Sequence, residues 1–538
     1  MKKEREWAKK AREIIRSHWP FLVIFLIAIF FYLHNIGALS FWSDEIWVAK
    51  SVSLTPTIES MIYFTETPQS TPPLFLLALK GIIFVLGTSE WAFRILSAIC
   101  IILSVALVYL LALKISKKWF SGGDKKFALI SAAFFAFNPL TQRYAQELKQ
   151  YAGDMLSFLL LLNLAEWYFE SRSKKSFWAL VLACIILPWF SQASIFLVAV
   201  ICTRFVYEFL WKEKGLARII SRRLTKENLR EIKNTIIIIL TAGVSFAAEY
   251  YLILAKVTGN SILLNYWETM HTQLFPLWKV NLFSLSGFSD FINFVVSHTY
   301  SIFSFLFRNF YRLDLMIILI LFLCFIFIAF NKNRAFLFTV LGIFAFNLLA
   351  ALAGKFPYGG TRVVLFFLPI LSIAVVYALC QLIITHKSLF RHYLKITLVI
   401  LAVLLLFGTY IHFFTVYSLA ENAKPLLEKY VAEKKQGEFT MIYEGSRINF
   451  GYYCPACADN KTIYINAPNG MGEQYLEKTQ TQIGKMDSGA RIWLFFSTFS
   501  SVGFTTNEMN QVVEYFDMSC VKLKEYDDVG AWLYLYKC

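Results

Sequence analysis

The chain has 538 residues, 57% of them hydrophobic against roughly 45 to 50% in an ordinary soluble protein, and only 16% charged against roughly 25%. That balance excludes a soluble globular enzyme, and the long apolar blocks, with 17% aromatics and 53 Phe, exclude intrinsic disorder and an outer-membrane barrel. The formal net charge of +16 does not point to nucleic acid: residues 417–538 hold 12 Lys+Arg and 15 Asp+Glu, so the positive excess lies in the apolar part, where it sets membrane topology.

In chain order, a basic tail at 1–19 precedes an apolar run at 20–39 with no small-residue cleavage pattern after it, which predicts a retained first helix. Further blocks near 90–113, 127–140, 154–170, 177–190, 192–210, 234–255, 312–330, 335–353, 363–385 and 396–416 bring the expected spans to about 11. The segment 74–86 rises only ~20 Å against a ~30 Å hydrocarbon core and carries Lys80, so it reads as an interfacial or re-entrant helix. With that segment not crossing, the loops assigned to the cytoplasm hold 21 Lys+Arg, and the outward loops at 141–153, 254–311 and 354–362 hold 7. The positive-inside bias therefore puts the N-terminus inside, the first loop at 39–89 outside and residues 417–538 outside. That tail alternates candidate strands at 439–443, 462–466, 491–496, 521–525 and 531–536 with helix-like stretches, the pattern of a small extracytoplasmic α/β domain. The expected organisation is a cytoplasmic tail at 1–19, a transmembrane domain at 20–416 and an exported domain at 417–538.

Cys184, Cys202, Cys324 and Cys380 sit in apolar runs and read as packing residues. In the tail, Cys454 and Cys457 read as a structural disulfide in preference to a redox or zinc pair, and Cys520 and Cys538 bracket the closing strands as a second pair.

Polar clusters mark the outward side. Asp44 and Glu45 follow the first span between Trp42 and Trp47; Arg143, Gln146, Glu147, Lys149, Gln150 and Asp154 fill the second outward turn; a turn at 189–194 and a Gly-rich turn holding Lys355 and Arg362 follow. Arg143 and Glu147, four apart, can also simply pair. Sugar transfer from a lipid phosphate to a hydroxyl needs a carboxylate to take the acceptor proton, cations to match the departing phosphate, and apolar helices for the lipid tail. The other reading is a transporter or lipid flippase, which calls for midplane charges and symmetric halves; neither is visible here.

The motifs WSDE at 42–45, PPLF at 72–75, SEWAFRILSA at 89–98, RYAQELKQY at 143–151 and FPYGGTR at 356–362 resemble bacterial members of the type C glycosyltransferase superfamily, in particular the protein O-mannosyltransferase and aminoarabinose transferase family. The resemblance covers roughly residues 20–210 and the Gly-rich turn, and leaves the tail unmatched. It implies an inverting transferase of the bacterial cytoplasmic membrane with a polyprenyl-phosphate sugar donor and a hydroxyl acceptor. Its catalytic residues would be Asp44 as base, Glu45 beside it and Glu147, with Asp154 a competing match. Many relatives carry His or Lys where Thr71 stands, so the donor phosphate would fall to Lys80, Arg143, Lys149 and Arg362. Tyr144, Tyr151, Asp154 and Tyr358 would position donor or acceptor. The resemblance leaves open a divalent cation at the acidic pair, the sugar, and whether the acceptor is protein, lipid or polysaccharide.

Overall fold

The computed structural model describes residues 2–55, 57, 71–119, 125–208, 226–255, 267–268, 272–281, 283–307, 312–385, 421–466, 473–497 and 506–538. The chain divides into two compact units, one drawn from Met1–His34, Ile62–Gly81 and Ile95–Phe413, the other from Asn35–Met61, Ile82–Arg94 and Phe414–Cys538. The acidic pair and the start of the second long helix thus belong with the C-terminal residues, a grouping across more than 300 positions that no local pattern announces.

The helices are α1 (Lys2–Leu33), α2 (Ser43–Ser53), α3 (Pro73–Leu86), α4 (Glu90–Trp119), α5 (Lys125–Ala136), α6 (Pro139–Ala145), α7 (Tyr151–Ser171), α8 (Lys174–Phe190), α9 (Ile195–Tyr207), α10 (Lys226–Glu249), α11 (Leu285–Leu306), α12 (Arg312–Lys332), α13 (Arg334–Leu352) and α14 (Phe367–Thr385). Among the described residues, four stretches are long and apolar enough to cross a membrane: Arg16–Leu33, Glu90–Lys117, Asn228–Leu254 and Arg334–Leu352. Shorter apolar helices accompany them, and the span expected at 396–416 lies outside the described residues. At 14 residues, α3 is about 21 Å long and cannot cross a ~30 Å core.

In the first unit, α7 packs on α8, α8 on α10, α9 on α13, and α14 on both α12 and α5. The α7–α8 reversal is tight because Arg172 takes a left-handed conformation (φ 48°) and the Ser173 hydroxyl accepts the Ser176 N–H at 3.1 Å as the cap of α8. Arg172 is held there by ion pairs to Glu208 and, at 3.1 Å, Glu231. Helix α11 lies in the segment expected to be an outward loop. Ser284 caps it by accepting the Gly287 N–H at 3.1 Å, and it buries Phe294, Ile302, Phe303 and Leu306 while exposing Leu285, Phe288, Ile292, Val296 and Tyr300. Apolar side chains at three- and four-residue spacing on an exposed face fit hydrocarbon better than water.

The second unit is built on a mixed sheet of β1 (Phe439–Tyr443), β2 (Thr462–Ile465), β3 (Arg491–Ser497), β4 (Val521–Asp528) and β5 (Ala531–Lys537) in the order β2-β1-β3-β5-β4. β1 runs parallel to β2 and β3; β5 is antiparallel to β3 and β4. Helices α15 (Ala423–Glu433), α16 (Arg447–Tyr453), α17 (Glu473–Ile483) and α18 (Thr506–Ser519) complete it. Alternate β3 residues enter two cores: Ile492, Leu494 and Phe496 pack with Tyr475 of α17 and Phe516 of α18, whereas Trp493 and Phe495 pack with Leu426 and Tyr430 of α15 and Phe450 of α16. Burial on both faces explains why β3 reads as an unbroken apolar run. Cys454 bonds Cys457, and Cys520 bonds Cys538.

Candidate active site

The acidic pair lies in the second unit and the other candidate residues in the first. Trp42 caps α2, so Asp44 and Glu45 occupy its first turn, where the unpaired N–H groups and the helix dipole favour negative charge. Their surroundings differ sharply. Glu45 is 1% exposed and takes both arms of Arg94, Nε to Oε1 at 2.8 Å and Nη2 to Oε2 at 2.6 Å. Arg94, itself 5% exposed, gives its remaining N–H groups to the carbonyls of Ile36 at 3.2 Å, Leu39 at 2.9 Å and Ser40 at 3.0 Å. A guanidinium fork is the group that can neutralise a buried carboxylate and brace a loop at once. Asp44, one position earlier, is half-buried. The loop leading in is pressed close: a Cβ on Gly37 would stand 2.8 Å from that of Trp91.

The start of α2 is also held by C-terminal residues of the same unit. Asn422 Oδ1 accepts from Ser40 N at 3.0 Å and from Ser40 Oγ at 2.7 Å, the Tyr453 hydroxyl accepts from Phe41 N at 2.5 Å, and Glu421 Oε2 accepts from Ser43 N at 3.0 Å. Lys424 pairs with Glu90 at 3.0 Å. Burial pushes the Tyr453 and Tyr452 hydroxyls well above the ordinary tyrosine pKa, so both stay neutral.

In the first unit, α6 starts at Asn138, whose Oδ1 accepts the Leu140 N–H at 2.9 Å ahead of Pro139. Gln146 then donates its side-chain amide to the Phe31 and His34 carbonyls at 3.1 and 2.8 Å, closing the C-terminal end of α1. Glu147 and Arg143 pair loosely at 3.6 Å, with the Arg143 side chain 30% exposed. Tyr144 meets Tyr151 edge-on at 5.6 Å, and the guanidinium carbons of Arg143 and Arg362 lie 5.4 and 5.9 Å from the Tyr144 and Tyr151 rings respectively. Arg143, Tyr144, Glu147, Tyr151 and Arg362 are thereby brought together.

Asp154 is buried and accepts from Ser191 Oγ at 2.6 Å, which joins the first turn of α7 to the end of α8. Beside it, Gly153 faces the rings of Phe190 and Phe75: its Cβ would stand 2.9 Å from the former and 3.5 Å from the latter, so it is the Phe190 ring at the end of α8 that packs here in the room of the missing side chain. Lys149 is buried with its carbonyl taking Ser97 Oγ at 3.3 Å, and Lys80 is half-buried on α3. Tyr358 stands apart: its hydroxyl bonds Thr299 at 2.6 Å, and its N–H goes to the Gln273 carbonyl at 3.0 Å. It pins the Gly-rich turn to α11. In the same turn, Gly360 lies so close to the Ser301 carbonyl that a Cβ would meet it at 2.1 Å.

Arg94, Glu421, Asn422 and Tyr453 carried no role in the sequence reading. An Arg in the first turns of an otherwise apolar span is the one available signal, since such a charge calls for a partner. The acidic pair does not fit a metal centre, because Arg94 occupies both Glu45 oxygens, and among the described residues no group of three or more His, Cys, Asp or Glu is placed to hold an ion.

No protein-family model and no curated protein matches the chain. Among solved structures it is similar to ArnT from Cupriavidus metallidurans bound to undecaprenyl phosphate, with 11% identity over 96% of this chain and 98% of that chain at a TM-score of 0.45. It is also similar to the archaeal oligosaccharyltransferase AglB from Archaeoglobus fulgidus in complex with an inhibitory peptide and a dolichol-phosphate, with 11% identity over 97% of this chain and 74% of that one at 0.47. ArnT and AglB belong to the type C glycosyltransferase superfamily. At these identities and scores the likeness assigns no residue, ligand or reaction to this chain.

Proposed function

We propose that the protein is an inverting glycosyltransferase that moves a sugar from a polyprenyl-phosphate donor to a hydroxyl acceptor on the outer face of the bacterial cytoplasmic membrane. Asp44 takes the proton of the acceptor hydroxyl as the acceptor oxygen bonds to the sugar C1. The bond from C1 to the phosphate oxygen breaks, polyprenyl phosphate leaves with the electron pair, and a single in-line displacement inverts C1. Arg143 and Arg362, beside the Tyr144 and Tyr151 rings, match the charge that develops on the phosphate. The N-terminus lies in the cytoplasm, and the loops at 39–89, 141–153 and 354–362 and residues 417–538 lie outside.

The observation that carries this reading is the unequal environment of the acidic pair. Glu45 is buried with both oxygens committed to Arg94, so the base is assigned to the other acid of the pair, Asp44, half-buried in the same helical turn. The motifs around it support the same chemistry. Asp44→Asn keeps shape and hydrogen bonding but removes the proton acceptor, so release of polyprenyl phosphate from the lipid-linked sugars of the native membrane should slow by about 100- to 10,000-fold. A folded Asp44→Asn protein that releases polyprenyl phosphate at the wild-type rate would overturn the assignment.

A further inference from the structure

We propose that the C-terminal sheet domain is the positioning element for the Asp44 turn, acting through Asn422, Glu421 and Tyr453; the proposal rests on Asp44 being the base.

The four consecutive backbone N–H groups from Ser40 to Ser43 find no partner in a helix or sheet, and each is met by a side chain. Ser40 N reaches Asn422 Oδ1 at 3.0 Å, Phe41 N reaches the Tyr453 hydroxyl at 2.5 Å, and Ser43 N reaches Glu421 Oε2 at 3.0 Å. Only Trp42 N is met locally, by Glu45 Oε2 at 3.4 Å. An extended loop before a helix has no conformation of its own to keep, so these acceptors decide where the first turn of α2 stands.

The acceptors are themselves anchored in the sheet. Asn422 Nδ2 donates to Asp528 Oδ2 at the end of β4 at 3.0 Å. Asn449 Nδ2 donates to Glu421 Oε2 at 2.8 Å and to Ser497 Oγ at the end of β3 at 3.0 Å. Tyr453 ends α16, directly before the Cys454–Cys457 disulfide, and the ring of Tyr452 packs edge-on against Phe41 at 5.9 Å. Glu421, Asn422 and Asn449 are all buried, and burying three polar side chains to hold one loop is costly unless the position of that loop matters. Position matters most for a group that must meet a reacting hydroxyl, where a misplacement of about 1 Å can cost on the order of 100-fold in rate. Asp44, in the helical turn that this loop leads into, is the residue that has this requirement.

The test uses the full-length protein in lipid nanodiscs, with release of polyprenyl phosphate from the lipid-linked sugars of the native membrane as the readout. Asn422→Ala should lower the maximal rate by about 10- to 100-fold and leave the half-saturating donor concentration unchanged, because the donor phosphate contacts are elsewhere. The exchange pair Asn422→Asp with Asp528→Asn keeps an acceptor for Ser40 at position 422, rebuilds the 422–528 hydrogen bond with donor and acceptor reversed, and should restore the rate. In an Asp44→Asn background, Asn422→Ala should cost nothing further, since there is no base left to misplace. An unchanged rate for Asn422→Ala, or an equal fold-loss with and without Asp44, overturns the positioning role. A wild-type rate for Asp44→Asn alone overturns the base assignment instead, so the two failures are distinct. Should Asn422→Ala not fold, Tyr453→Phe removes one acceptor while keeping the ring, and the same outcomes apply to it.

Discussion

Two ion pairs, one from each unit, are spent differently. In the second unit, all five N–H donors of Arg94 have acceptors within 3.2 Å, and its partner Glu45 is almost fully buried. In the first unit, Arg143 and Glu147 pair at 3.6 Å with Arg143 partly exposed, and Arg362 is half-buried against a tyrosine ring. An ion pair saturated with hydrogen bonds and removed from water holds structure. A half-solvated cation is reachable by a ligand. Charge and proximity to a motif do not separate these two kinds of residue; burial does.

The largest effect expected from that contrast is on folding. Glu45→Gln leaves the Arg94 guanidinium buried without a counter-charge, and removing one partner of a buried pair costs about 3 to 5 kcal/mol. Asp44→Asn, one position away, should leave stability unchanged while abolishing most of the transfer. Thermal inactivation of the two purified variants in nanodiscs checks this. If Glu45→Gln is as stable as the wild type and loses only activity, Glu45 works in the reaction and the contrast fails.

A smaller effect is expected at the partly exposed cations Arg143 and Arg362. Arg143→Ala and Arg362→Ala should leave stability near the wild type and weaken binding of polyprenyl phosphate by about 1.5 to 3 kcal/mol each, the range of a charged hydrogen bond. Titration with the lipid phosphate measures it. If neither variant changes affinity while both lower the melting temperature, these arginines are structural after all.

Much of the fold is legible in the residues because its signals are local. The five strands stand where aromatic and β-branched runs alternate with turns, and the two disulfides join cysteines within one closing motif each. Helix α11 is hidden because Ser286, Ser289, Asp290, Asn293, Ser297 and His298 break its apolar run, although its two faces are well formed. Helix α2 is hidden for the opposite reason: at 11 residues with three charges it is too short and polar to stand out in a loop. The Arg143–Glu147 pair is readable from its spacing. The Glu45–Arg94 pair is not, with 49 positions between its members. Least readable is the hold of Asn422 on Ser40, across 382 positions, because it depends on where the last strands bring the chain.

The smallest effect tests a partly solvated pair at the sheet edge, where little should be at stake. Glu433 accepts from Lys524 Nζ at 2.6 Å and from the Tyr526 hydroxyl at 2.8 Å, tying α15 to the edge strand β4. These bonds, that to Lys524 first, hold the Glu433 carboxyl below its ordinary pKa. A depressed carboxyl contributes stability above its unfolded pKa of about 4.3 and loses it as the pH falls through the folded value. Because both side chains are partly solvated, the contribution is small. Glu433→Gln should therefore speed amide exchange along Val521–Asp528 slightly at neutral pH, and the difference from the wild type should vanish as the pH drops below the usual glutamate range. A loss at neutral pH as large as that of Glu45→Gln would mean that solvated pairs in this protein hold structure as firmly as buried ones, and burial would no longer separate the two kinds of charge.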